Sequence, residues 1–305
     1  MDSYLFAIMI EDFNREVIIL RKILKKAYEV LRNNLIIIQP FIFYLLLISI
    51  FMGSVHNISA GIKPVLIVFL VSVFALSCAF LAGWLQLFQA ALRNSFKEAP
   101  TQIEKVEMSF AILREFLPAV GRFFVPITVA VILYFVLFFG VLKLTVFLGL
   151  KYIGLSENLA PEKILAVFSD KAKVYAFVTS LTEADSEKLL RWDVFFLFMT
   201  GVFSYLTMFW FPAIMLNGEN AFKALWSGLK ATFSRPFTTL GIFSLYWVTN
   251  LTVSLLGSVF QSIFLVQILN LMLVVFITVY FIMVNFVYFE EYSGNNISGW
   301  TNIFR

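Results

Sequence analysis

The sequence predicts an all-α integral membrane six-helix bundle, built from three repeats of an amphipathic helix plus two transmembrane helices. Three observations carry that fold class. Of the 305 residues 61% are apolar and 14% charged, and the mean hydropathy is +0.89; no soluble core needs that much apolar surface or can hide it from water. Apolar runs of about twenty residues recur along the chain, each long enough at about 1.5 Å rise per residue to cross about 30 Å of hydrocarbon. Three of these runs follow a helical pattern with one apolar side, which gives repeat units of about 14–92, 104–217 and 219–290 within a single membrane domain, 1–305.

Residues 1–13 read as a mixed lead-in. Val17, Leu20, Ile23, Leu24, Ala27, Val30 and Leu31 then form the first stripe, decorated by Arg15, Arg21, Lys22, Lys25, Lys26 and Arg32, a combination that suits an anionic membrane surface. The first span, Leu35–Met52, carries Gln39-Pro40 near its start, where a neighbouring helix or Gln39 must satisfy the carbonyl that proline frees. His56 falls in the turn Gly53–Lys63 and reads as a solvated side chain. The second span, Pro64–Phe88, spaces Ala75, Ala79 and Gly83 four apart, a helix-packing face on which another helix can approach closely. Gln86 and Gln89 near its end read as interfacial.

After a polar connection with Pro100, the second stripe is Val106, Phe110, Leu113, Phe116, Leu117 and Val120, followed by the third span, Phe123–Leu142, with Pro126 early in it. Lys143 sits at the edge of a further apolar stretch, Leu144–Leu150, and can snorkel to an interface. Residues 151–192 form the one long connection, an extracytoplasmic loop. Ile164, Leu165, Phe168, Tyr175 and Val178 keep helical spacing after Pro161, and Thr182-Glu183-Ala184-Asp185 starts a second short helix. Glu183, Asp185 and Glu187 lack the glycine turn and full ligand count of a calcium loop and read as a solvated acidic face. The fourth span is Val194–Leu216, bent near its end by Pro212. Phe222, Leu225, Trp226, Leu229 and Phe233 make the third stripe, the fifth span runs Phe237–Leu256 with Asn250 turned toward another helix, and the sixth, Leu265–Phe289, contains Gln267, Asn270 and Asn285.

Counting Lys and Arg sets the orientation. Fifteen of the 23 lie in the N-terminal segment, the connections after spans two and four, and the C-terminus, against eight on the opposite side, which places both termini and all three amphipathic helices in the cytoplasm. The net charge of +4 is absorbed by this topology, so no nucleic-acid partner is expected; the partners expected are the lipid bilayer and anionic lipids at the cytoplasmic face. Cys78 is the sole cysteine and lies in a span, which excludes a disulfide framework or thiolate metal cage.

Ala91-Leu92-Arg93 followed by Lys97-Glu98-Ala99-Pro100, the stretch Pro212 to Ser227, and the closing Val287-Tyr288-Phe289-Glu290-Glu291 resemble the junctions of bacterial six-span membrane proteins related to the membrane domain of glycerophosphodiester phosphodiesterases. Tyr292 stands where that family usually carries arginine. The resemblance implies the six-span scaffold in a bacterial cytoplasmic (inner) membrane, without the separate catalytic barrel.

The sequence has one His and one Cys and none of the H-E-x-x-H, G-x-S-x-G or phosphate-loop patterns, so no catalytic, cofactor-binding or metal-ligating residue is expected and no cofactor is implied. Glu290-Glu291 is the best acid pair, but adjacent helical residues point about 100° apart and read as solvated or capping. The expected role is that of a non-catalytic membrane-organising, assembly or accessory subunit. The alternative is a transporter or carrier of lipid or another hydrophobic molecule, for which Gln39, Asn250, Gln267 and Asn270 are the candidate polar lining.

Overall fold

Three helices of this chain stop a few residues ahead of a proline, at Arg114 before Pro118, Thr207 before Pro212 and Ser234 before Pro236. The structure, a computed structural model, describes residues 2–58, 63–95, 101–155, 177, 181–260 and 263–301. Among these there is no strand, and the helices are α1 (Asp2–Asn33), a 3-10 turn (Leu35–Ile37), α2 (Ile38–Ile58), α3 (Lys63–Asn94), α4 (Gln102–Arg114), α5 (Phe116–Tyr152), α6 (Glu183–Thr207), α7 (Trp210–Asn217), α8 (Ala221–Ser234), α9 (Pro236–Val259) and α10 (Phe264–Thr301). Five segments, in α3, α5, α6–α7, α9 and α10, are long and apolar enough to cross a membrane, and the pair α1–α2, bent by 80°, makes a sixth if counted as one span. This is a multi-pass membrane protein.

Proline lacks the N–H that would bond the carbonyl four residues back, so each break leaves a carbonyl to be satisfied by other means. At Ser234-Arg235-Pro236 that carbonyl belongs to Thr232, and the Thr239 hydroxyl donates to it at 2.9 Å. Pro212 frees the carbonyl of Met208, which receives the Asn285 amide of α10 at 3.5 Å. The bend therefore falls at Met208–Phe209, ahead of the expected position at Pro212. Pro118 does the same to Arg114 and ends α4 there, so the second stripe is divided: Phe116, Leu117 and Val120 belong to α5, and Leu117 is 77% exposed. Pro40 lies in the first turn of α2, where no donor is missed; the entry is held by Trp84, whose indole donates to the Ile37 carbonyl at 3.0 Å.

The described chain divides into two compact units, Met1–Val131 with Leu206–Arg305, and Ile132–Tyr205. In the first, α3 is the central post. Every residue from Ala82 to Leu92 is buried, including Gln86 and Gln89, which are core residues rather than interfacial ones; the Gln86 amide donates to Glu115 at 2.7 Å. Around this post stack Phe41 on Trp84, Trp84 edge-on to Phe88, Phe88 on Phe286, and Phe209 on Tyr288. This aromatic core sits level with the short helices, whereas α2, the start of α3 and the apolar ends of α9 and α10 next to their connection expose Phe43, Val68, Val248, Leu265 and their neighbours.

α1 begins at Asp2, earlier than its sequence suggests, and spends its apolar side on protein: Ile23, Ala27, Val30 and Leu31 are buried. It straps α9 and α10. Glu16 accepts from the Thr238 backbone N–H at 2.6 Å, capping the start of α9 from a distant helix; Leu20 lies against Gly241; Tyr280 donates to the Leu24 carbonyl at 3.1 Å. Lys22 and Lys26 pair with Glu291 at 3.8 and 3.9 Å, and Lys26 reaches Glu290 at 3.3 Å. Glu290 and Glu291 are thus anchors for α1 rather than solvated acids, and these lysines are only partly available to a membrane surface.

α8 turns the large residues of its apolar stripe away from the protein. Its buried side is Ala221, Ala224, Gly228, Ala231 and Thr232, while Phe222, Trp226 and Phe233 are 65%, 62% and 63% exposed. The cause is close approach: the Gly228 position lies on the Phe209–Trp210 backbone, where an added Cβ would stand 3.1 to 3.3 Å from three backbone atoms, and Trp210 donates to the Ala221 carbonyl at 2.7 Å. Bulky residues cannot occupy that face and are turned outward. Gly218, with φ of 64°, supplies the left-handed turn that ends α7 and frees Asn220 to cap α8.

In the second unit α5 runs unbroken through Lys143, which is exposed. Trp192 of α6 lies against Gly149 and donates to the Gly154 carbonyl at 3.1 Å, and Phe203 packs between Tyr134 and Phe138. Thr182 and Asp185 form a reciprocal capping box, and Glu187 pairs with Arg191 at 2.6 Å. The acids at 183–187 therefore open α6 itself, which continues into the fourth span instead of forming a separate short helix. The expected helix after Pro161 lies outside the described residues. His56 belongs to the helical end of α2, which extends to Ile58.

Two substitutions separate packing from propensity. Gly228→Val presses on backbone that cannot move aside and should cost about 1–3 kcal/mol. Gly121→Ala, which meets nothing within 4 Å, should stabilise by up to about 1 kcal/mol through helix propensity. Reversible unfolding in mixed detergent micelles reads both.

Candidate functional site

α2 leaves the 3-10 turn beside α3 and is held there by ring stacking, Tyr44 on Phe80 at 4.1 Å and Phe41 on Trp84 at 4.5 Å, and by the Tyr44 hydroxyl donating to Ser77 at 2.7 Å. On the other flank of α3, the kink at Glu115 sets Phe116 directly on Gly83, where an added Cβ would stand 2.8 Å from the ring. Between these fixed flanks the α4–α5 junction and α2 remain apart. A groove of about 890 Å³ lies there, walled by Phe43, Leu46, Leu47 and Ile50 of α2, Leu76, Ala79 and Phe80 of α3, and Leu113, Phe116, Leu117 and Val120 of α4 and α5.

The chemistry of the walls is narrow. Of the lining side chains only Gln39 and Tyr44 are polar, and the Tyr44 hydroxyl is engaged by Ser77. Gln39 stands at one end, and eleven residues of α2 separate it from Ile50, a run of about 17 Å at about 1.5 Å per residue. That matches the hydrocarbon depth of one leaflet, about 15 Å. No acid or base lines the walls, so the groove is suited to hold a hydrocarbon chain and offers no proton transfer or metal ligation.

The four residues expected to line a polar path are not brought together. Gln39 lies at the end of the groove. Asn250 is satisfied by its own helix, its amide donating to the Tyr246 carbonyl at 2.9 Å, rather than by a neighbour. Gln267 donates to the Gly257 and Phe260 carbonyls at 3.0 and 3.2 Å and ties the α9–α10 connection, beside which Asn270 covers Gly257. The small-residue face of α3 is divided as well: Gly83 meets Phe116, whereas Ala79 is part of the groove wall, where its single methyl leaves room for an occupant. The groove itself was not legible as a site; it lies beside the 80° bend between α1 and α2 and the break between α4 and α5 ahead of Pro118.

No protein-family model matches the chain, and no curated protein or solved structure matches it.

The polar residues are expected to differ in stability and not in function. Gln267→Leu should destabilise by about 1 kcal/mol, since it leaves two carbonyls of the connection with one donor fewer, and Asn250→Leu by less than about 0.5 kcal/mol. Unfolding in detergent micelles checks the order; the reverse order would place Asn250 in an interhelical contact.

Proposed function

We propose that this chain is a non-catalytic membrane-organising protein whose working surface is the apolar groove between α2, α3 and the α4–α5 junction. The observation that carries the reading is the groove's composition and length: hydrocarbon walls, one polar end, and one leaflet's depth. The aromatic packing around α3 supports a rigid holder, and the scattering of Gln39, Asn250, Gln267 and Asn270 speaks against a polar conduction path. The resemblance of Pro212–Ser227 and Val287–Glu291 to glycerophosphodiester phosphodiesterase membrane domains fits a scaffold in a bacterial cytoplasmic membrane that leaves chemistry to other proteins. In this reading the unit of one short helix and two spans occurs three times, and both termini and the short helices face the cytoplasm.

A second reading, a carrier of a lipid or hydrophobic molecule, uses the same groove; what favours it is the opening beside exposed Phe43 and Leu117, through which an occupant can exchange with the bilayer.

Native mass spectrometry of the purified protein should retain one lipid or hydrophobic molecule after detergent exchange. Ala79→Phe, which fills the groove, should lower retention at least tenfold, while Val248→Phe on the exposed side of α9 leaves it unchanged. Equal retention in all three overturns the groove as the working surface, and protein-dependent transfer of lipid between vesicles would select the carrier. Reporters fused after residues 60 and 170 should be extracytoplasmic, and fusions after residues 98 and 219 cytoplasmic; any exchange between the two sets overturns the orientation.

A further inference from the structure

Resting on the groove as the lipid-holding surface, we infer that its occupant is an anionic phospholipid whose phosphate is held at the Gln39 end by Arg32 and Arg114. An apolar slot of one leaflet's depth selects for acyl chains without distinguishing head groups; selection must come from the end where the chain meets water. At that end two short helices finish. Arg32 is in the last turn of α1, just before the 3-10 turn that leads into Gln39, and Arg114 is in the last turn of α4, next to Leu113 of the groove wall.

Position in the chain singles out these two arginines, since Arg15 and Arg21 of α1 are likewise exposed and form no ion pair with a described residue. Lys22 and Lys26 are committed to Glu290 and Glu291, and Lys25 lies 3.9 Å from Glu29. Arg32 and Arg114 are both exposed, and neither forms an ion pair with a described residue. The neighbouring carboxylate, Glu115, is engaged by the Gln86 amide at 2.7 Å on the α3 side. The donors that stand next in the chain to the lining residues at this end are the two guanidinium groups, outside the lining itself, and the Gln39 side chain. Guanidinium presents paired N–H donors that match phosphate oxygens, and Gln39 can add an amide donor. Anionic character follows from charge: a zwitterionic head group would bring its own cation against the two arginines.

The test uses the full chain in nanodiscs of equal phosphatidylglycerol and phosphatidylcholine, followed by native mass spectrometry of the retained lipid. The wild-type protein should favour phosphatidylglycerol, and Arg32→Gln with Arg114→Gln should lower that preference by about fivefold per arginine while a lipid is still retained. Ala79→Phe should lose both lipids. If the wild type retains no lipid, or Ala79→Phe retains as much as the wild type, the underlying groove reading fails. If Ala79→Phe loses lipid but the double variant keeps the full preference, only the assignment of the arginines fails. Loss of thermal stability without a change in preference would make them countercharges to the helix ends and overturn the proposal. Erasure of the preference by millimolar inorganic phosphate would reassign the site to a free anion.

Discussion

A carbonyl in hydrocarbon must find a donor, and in this protein that constraint governs where the chain bends. The α4–α5, α6–α7 and α8–α9 breaks each lie within a few residues of a proline, and two of the freed carbonyls receive a side chain. Thr239 answers Thr232 within the same junction, while Asn285 reaches from α10 to Met208. The bends are therefore tied to the surrounding helices and are not free hinges. A charged version of the same requirement fixes α9, whose first-turn N–H of Thr238 is met by Glu16 from more than two hundred residues away in the chain. Carboxylate at a helix start satisfies both the unpaired N–H and the dipole.

These bends explain why the buried core lies at one level of the larger unit. Spans surrounded by lipid gain nothing from hiding Leu or Phe from water, so their apolar halves can stay exposed to the bilayer. Tight packing is needed where short helices, helix ends and polar groups meet. There α3 is covered on every side from Ala82 to Leu92, Gly228 lets α8 touch the α7 backbone, and Lys22 and Lys26 tie α1 to the acids of α10. Rigidity is concentrated at the end that carries the polar head of the groove.

The apolar spans were legible, because length and hydropathy dictate them locally, and so was the short helix at Ala221–Ser234, whereas the bounds of α1 and α4 were not. The faces were less so. The periodicity of Phe222, Trp226 and Phe233 marks one side of α8 as apolar, but a helix in contact with lipid can turn its large residues outward and bury its small ones, and α8 does. Of the α1 stripe, Ile23, Ala27, Val30 and Leu31 are buried, Leu20 and Leu24 are half-buried and Val17 is exposed. The difference lies in the partner: α1 meets side chains, and α8 meets backbone. Gln86 and Gln89 were misplaced for a related reason. Polarity near the end of a span suggests an interface, but here the end of α3 is inside protein and Gln86 finds Glu115 there.

The groove follows from two of these bends taken together. The turn of 80° between α1 and α2 carries α2 away from the short-helix layer, and the kink at Glu115 presses Phe116 onto Gly83 while leaving Leu117 and Val120 on the opposite wall. Neither stripe nor span contains that information, because the space is defined by the angle between elements and by the absence of bulk at Ala79. The same two breaks end α1 at Asn33 and α4 at Arg114, so the last helical turns before the hydrocarbon slot carry Arg32 and Arg114. A site for an amphiphile needs an apolar length joined to a polar end at a fixed distance, and the break between α1 and α2, beside that between α4 and α5, leaves an apolar length with Gln39 at its end.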